Sequence, residues 1–170
     1  MYRVASSLRA GRVALVVLFA LAVAACARGG DDLGGGAVAV GGAATGPGSV
    51  QEFQVTVGDR VFFDTDSSEL SAQARATLDR QAQWLLLYPQ YQIIIEGHAD
   101  ERGTREYNIA LSGRRASAVQ TYLASRGVPL PRISTIPYGK ERPIATCNDI
   151  SCWSQNRRAV TVLTGFGAGV

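Results

Sequence analysis

The sequence predicts an α/β layer packing, ordered strand–helix–strand–helix–strand with one more strand at the end. Three observations predict it. Two long segments carry apolar residues at helical spacing, and short β-branched or aromatic runs stand before, between and after them. The links between the first three strands are long enough to be crossover helices.

The elements follow in order. Val61, Phe62 and Phe63 form a short strand that stops at Asp64-Thr65-Asp66. Residues 67–71 offer several helix-capping side chains, and apolar residues at 74, 78, 82, 85 and 86 predict a helix over 72–88, ended by Pro89. Residues 91–97 are a β-branched run, the pattern of a buried strand. A second helix spans 104–126 and closes on Gly127. Residues 133–138 form a third strand, which Pro137 places near a sheet edge, and residues 158–163 form a fourth. Gly113 inside the second helix costs about 1 kcal/mol relative to Ala and has no explanation in the sequence.

Ahead of these elements lies a different kind of sequence. Arg3, Arg9 and Arg12 precede an apolar run over 13–25, shorter than the roughly 20 residues a membrane-spanning helix needs. Basic residues, an apolar stretch and then small residues describe a secretory signal peptide over 1–25. Val23-Ala24-Ala25-Cys26 is similar to the lipobox of bacterial lipoproteins, which makes Cys26 the expected site of lipidation; the alternative is an ordinary signal peptide that happens to contain a cysteine. With the signal segment removed, 14 basic and 14 acidic residues remain, so the net charge expected of a nucleic-acid binder is missing. Residues 26–49, rich in Gly and Ala, read as a flexible tether with a reach on the order of 25–30 Å. Cys147 and Cys152 suit a disulfide in an oxidising compartment, against two free thiols. With His98 the single histidine, no metal site is expected.

Chemistry concentrates around the second helix. Asn108, Ser112 and Arg115 share one face, beside a core-facing stripe of Ile109, Ala116, Val119 and Leu123. Arg115 is expected at the border of the buried face, with Arg114 solvated. Asp100 sits in the loop at the carboxyl end of the second strand, the edge where open α/β sheets bind ligands. A carboxylate and a guanidinium meeting in one pocket suit a small zwitterion, and the helix start near Gly103-Thr104 offers N–H groups for a further carboxylate. Spacing alone leaves another reading open, in which Asp100 and Arg115 simply pair with each other.

The residues themselves carry a resemblance. Phe63-Asp64-Thr65-Asp66-Ser67, the block 96–111 beginning Glu96-Gly97-His98-Ala99-Asp100, then Arg114-Arg115-Ala116, Tyr138-Gly139-Lys140 and Trp153-Ser154-Gln155-Asn156-Arg157-Arg158 resemble, in order, the OmpA-like domain family and most closely its peptidoglycan-associated lipoprotein (Pal) branch. The resemblance covers residues 50–165, leaving 166–170 as a tail. It implies a two-layer sandwich with helices on one face of a mixed sheet. It also implies an outer-membrane lipoprotein that faces the periplasm, needs no cofactor, and binds the diaminopimelate of peptidoglycan stem peptides through the positions matching Asp100 and Arg115. Phe63, Asp64, Thr65, Leu111 and Arg158 are secondary positions implied in the same way; Asn108, Thr104 and His98 are further candidates. The implied partners are peptidoglycan, the outer membrane through the lipid, and TolB with the other Tol proteins in cell division. Leu111-Ser112-Gly113 departs from the Leu-Gly form common in the branch.

Other readings are weighed against these. His98 with Asp100 suggests catalysis, but the sequence holds no Gly-x-Ser-x-Gly elbow, and a histidine bonded to backbone or shaping the pocket is expected instead. The chain is expected not to be an enzyme. The rival classes are a wall-processing hydrolase and a protein-interaction module of the envelope. Asp64 and Asp66 read as turn and helix-entry residues bordering the ligand rather than as a paired general acid and base, Trp84 and Trp153 as packing residues, and Arg157-Arg158 either as a solvated pair or as one inward, pocket-supporting arginine. Replacing both Asp100 and Arg115 by Ala is expected to abolish wall binding with the fold intact.

Overall fold

The computed structural model describes residues 46–166. The signal segment, Cys26 and the tether up to residue 45 lie outside the described residues. A short helix, α1 (Val50–Glu52), runs into a π-helical turn (Phe53–Gly58). Then follow β1 (Arg60–Phe62), α2 (Ala72–Leu87), β2 (Tyr91–His98), α3 (Arg105–Ser125), a 3-10 turn (Leu130–Arg132), β3 (Ile133–Gly139), α4 (Ile150–Asn156) and β4 (Arg158–Phe166).

The sheet order is β1-β4-β2-β3, so β3 lies at an edge, as Pro137 predicts. The sheet is mixed: β2 and β3 are parallel, and β4 runs antiparallel to both β1 and β2. Alternate residues of β2 turn inward, burying Tyr91, Ile93 and Ile95 against Leu78 and Leu85 of α2 and Ala116, Val119 and Leu123 of α3. Each of the isoleucine, leucine and valine side chains contributes about 1.5–3 kcal/mol by leaving water. Leu86, expected on the apolar face, is instead 48% exposed, because it lies beyond the arc of α2 that meets the sheet.

The two main helices begin and end as their capping residues dictate. Ser71 Oγ accepts from the Ala74 N–H and Thr104 Oγ1 from the Tyr107 N–H. Past α3, Gly127 takes φ 98°, its N–H donates to Ala124 O, and Val128 N–H donates to Leu123 O, a Schellman closure. Gly97 lets α3 lie directly on β2, since a Cβ there would overlap the Ser112 carbonyl. This contact fixes the height of α3 over the carboxyl end of β2, where the candidate site lies.

The fold begins earlier than the composition suggests. Ser49 Oγ accepts from the Glu52 N–H, Glu52 Oε2 accepts from the Gly48 N–H and from Trp84 Nε1–H, and Tyr91 donates its hydroxyl proton to Gly48 O. Residues 46–49, assigned to the tether from composition, therefore belong to the folded unit. Phe53, Tyr88 and Tyr91 surround Trp84 with ring centroids 4.6–5.4 Å away. A disulfide joins Cys147 and Cys152 just ahead of and within α4.

Candidate functional site

The exit of β2, the first turns of α3 and the loop after β1 enclose a cleft of about 300 Å³. Thr65 and Asp66 line it from the β1 loop, Asp100, Arg102 and Gly103 from the β2–α3 link, and Tyr107, Asn108, Leu111 and Arg115 from α3. Asp66 holds a left-handed conformation (φ 56°), consistent with a turn, and accepts a hydrogen bond from the Tyr107 hydroxyl across the cleft.

Arg115 forms part of the floor yet exposes none of its surface. Its guanidinium donates to three backbone carbonyls: Nε to Ser67 O (2.8 Å), Nη1 to His98 O (2.8 Å) and Nη2 to Asp64 O (3.0 Å). It thereby ties the β1 loop to the end of β2. The sequence places it at the border of the buried face; the 64–67 loop closes over it and buries it. Burial lowers its pKa to about 10, helped by the charge of Arg157 and opposed by Asp100, Asp66 and Tyr107, so it remains a cation at neutral pH. Arg114 is exposed, as expected.

Asp100 does not pair with Arg115. Arg102 clamps it, with Nη2 2.7 Å from Oδ2 and Nε 3.2 Å from Oδ1; the Arg102 backbone N–H adds a bond to Oδ1, and Arg157 Nη1 reaches Oδ2 at 3.3 Å. Burial alone would raise the carboxyl pKa, but the hydrogen bonds from Arg102 and Arg157 outweigh it and hold the group below the usual carboxylate range.

The secondary positions divide. Thr65, Asn108 and Leu111 line the cleft, and Asn108 Nδ2 also donates to Arg102 O at 2.7 Å, holding the link between β2 and α3. Phe63 is buried 5.2 Å beneath the Arg115 guanidinium, and with Asp64 it borders a neighbouring groove rather than the cleft. Thr104 is spent as the cap of α3.

His98 and Arg158 do not join the cleft. The His98 imidazole stacks on Tyr138, is 2% exposed and, among the described residues, has no hydrogen-bond partner on either nitrogen, so of the two expected roles the backbone bond is not made. Glu96 Oε2 lies 3.6 Å from Nε2, too far for a hydrogen bond. Burial, with the charges of Arg158, Arg142 and Arg60, lowers the pKa to about 4 and keeps the ring neutral. Arg158 donates to Asn156 O and Arg142 O. Neither Arg157 nor Arg158 is solvated. Arg158 opens β4 on the side of His98, whereas Arg157, one residue before the strand, turns to Phe63 O and Asp100. Sequence reasoning thus omitted Arg102 and Tyr107, whereas Asp66 was read as a turn residue bordering the ligand and one of Arg157 and Arg158 as an inward arginine. A cation two residues from Asp100 was the available signal for Arg102. Trp153, read as a packing residue, stacks on the Arg102 guanidinium at 4.2 Å and donates its indole N–H to Glu101.

The sequence model of the OmpA family matches residues 62–157. The chain is 63% identical over 159 residues to the peptidoglycan-associated lipoprotein of Rhizobium meliloti (strain 1021), covering 92% of this chain and 89% of that protein. It is 43% identical to the protein of the same name from Pseudomonas putida, covering 85% and 91%. Among solved structures, the peptidoglycan-associated lipoprotein from Burkholderia pseudomallei matches with TM-score 0.61 and 43% identity, covering 62% of this chain and 90% of that one. The C-terminal domain of Helicobacter pylori MotB, 22% identical with TM-score 0.59, shares the fold. A family match that takes in β2, α3 and the cleft between them, together with relatives this similar over nearly their whole length, leads to one conclusion: the chain belongs to the OmpA family, on its peptidoglycan-associated lipoprotein branch.

Proposed function

We propose that the chain is an envelope lipoprotein that binds peptidoglycan non-covalently, taking the free end of diaminopimelate into the cleft between β2 and α3. The observation that carries the reading is the shared cleft of Asp100 and Arg115, an anion and a cation delivered by two elements to one small cavity. Diaminopimelate presents an ammonium and a carboxylate on one carbon, which is the charge pair such a cleft complements. Three of the five Arg115 N–H groups go to backbone carbonyls, and the buried guanidinium lends the floor of the cleft its positive charge.

Binding at equilibrium is the whole mechanism in this reading, with no bond made or broken. Cys26 carries the lipid, the Gly-rich segment spans the gap, and many weak attachments act together to hold the outer membrane to the wall. TolB and the other Tol proteins are the partners through which the chain takes part in cell division.

The test is sedimentation with purified sacculi. Asp100→Asn keeps the shape and removes the charge, and it should lower the bound fraction by roughly 10-fold or more. The circular dichroism spectrum should be unchanged, and the sacculi should release no fragments. Full retention of binding in this variant would sink the reading, and released muropeptides would replace it with a hydrolase. Arg115→Ala is a poor probe, contrary to the expectation from sequence. It strands three backbone carbonyls, that of His98 buried and those of Ser67 and Asp64 partly so, and lost binding could not be separated from lost structure.

A further inference from the structure

Resting on that reading of the cleft, we propose that Arg102 is its specificity residue, an internal cation that occupies Asp100 until a ligand ammonium replaces it and that then pairs with the ligand's carboxylate. The Asp100 carboxylate is saturated as it stands. Oδ1 accepts from the backbone N–H and Nε of Arg102, and Oδ2 accepts from Nη2 of Arg102 and Nη1 of Arg157. A carboxylate offers about four acceptor positions, so an incoming ammonium must exchange with a resident donor rather than add to them.

Only one resident is placed to yield. The Arg157 side chain is 8% exposed and its Nε is anchored on Phe63 O, whereas the Arg102 side chain is 40% exposed. The backbone beneath Arg102 is fixed. Its carbonyl accepts from Asn108 Nδ2, and the Glu101 and Gly103 carbonyls on either side accept from Lys140 Nζ. Exchange therefore moves the side chain and not the loop. Trp153, whose ring already lies 4.2 Å from the guanidinium, keeps an aromatic face against the cation when Asp100 releases it.

The released guanidinium stays beside the ligand, and this is what confers selectivity. A ligand with an ammonium alone, such as the lysine end of a stem peptide, takes Asp100 and leaves Arg102 without an anion. A ligand with a carboxylate next to its ammonium gives Arg102 a new partner and completes the exchange. The cleft then separates diaminopimelate from lysine by that carboxylate.

The experiment is calorimetric titration of the full-length chain in detergent micelles with two muramyl tripeptides, one ending in meso-diaminopimelate and the other in L-lysine. The wild-type chain should prefer the diaminopimelate form by roughly 10–100-fold. Arg102→Gln should bind the lysine form as tightly as before or more tightly and lose most of that preference, while Arg102→Lys should keep much of it. A merely structural role would weaken both ligands equally and leave the ratio untouched; that result, or an unchanged ratio with unchanged affinities, overturns the exchange while leaving the cleft's assignment standing. If the wild-type chain binds neither tripeptide, the diaminopimelate reading falls and takes the exchange with it.

Discussion

His98 is a buried base without a hydrogen-bond partner among the described residues, and its pH behaviour follows from its burial. Its pKa is about 4 in the folded chain, against an ordinary value near 6.5 when unfolded. The unfolded state therefore binds the proton first as pH falls. The associated stability is fully present above pH 6.5 and is lost progressively toward pH 4. Between pH 7 and pH 5 the loss should come to about 2 kcal/mol from this group. Urea denaturation at the two pH values checks it: His98→Phe should flatten the dependence over that window, and an equal slope in both chains would contradict the account. Asp100 and Arg115 were legible from their positions, one at a strand exit and the other on a helix face. Their partners were not, because whether Arg157 or Arg158 turns inward depends on where α4 ends and β4 begins. That boundary is set by packing and not by local spacing. Arg132, which donates to the carbonyls of Tyr91, Leu85 and Tyr88, repeats the three-carbonyl device of Arg115 at the end of α2.

At the scale of elements, two glycines of the site region make opposite demands. A side chain at Gly97 would drive α3 off β2, so Gly97→Ala should cost several kcal/mol, on the scale of an overpacked core. Gly113 faces Pro137 Cβ at an ordinary 3.8 Å from where a Cβ would sit, so the close packing of α3 on β3 does not require glycine there. Gly113→Ala should stabilise the domain by up to about 1 kcal/mol through helix propensity alone. Thermal melting of the two variants decides this, and a destabilised Gly113→Ala would mean that α3 and β3 pack more tightly than these distances indicate. The long elements were readable because a helical or alternating period persists over them. The turn of helix at 50–58 and α4 were missed. The first carries a Ser49-x-x-Glu52 capping signal at the end of a Gly-rich stretch, and the second is seven residues whose place depends on Asn156 binding the Ile144 and Ala145 backbone.

At the scale of the whole molecule, the folded unit starts at residues 46–58, clipped to α2 and β2 by Glu52, Trp84 and Tyr91. A chain held by lipid at one end and by the sacculus at the other would transmit tension through this segment before any strand of the sheet. Four side chains, Arg80, Gln81, Trp84 and Tyr91, hold it by hydrogen bonds and Phe53 by burial, but it contributes no strand to the sheet. Under a stretching force it should peel away first, freeing about 45 Å of contour length before the sheet yields. In an optical-tweezers pull from both termini, this would register as a short initial extension that Glu52→Ala shifts to lower force. The stretch that composition assigns to a passive spacer would then end in a mechanical fuse, lengthening under strain while the cleft keeps its shape.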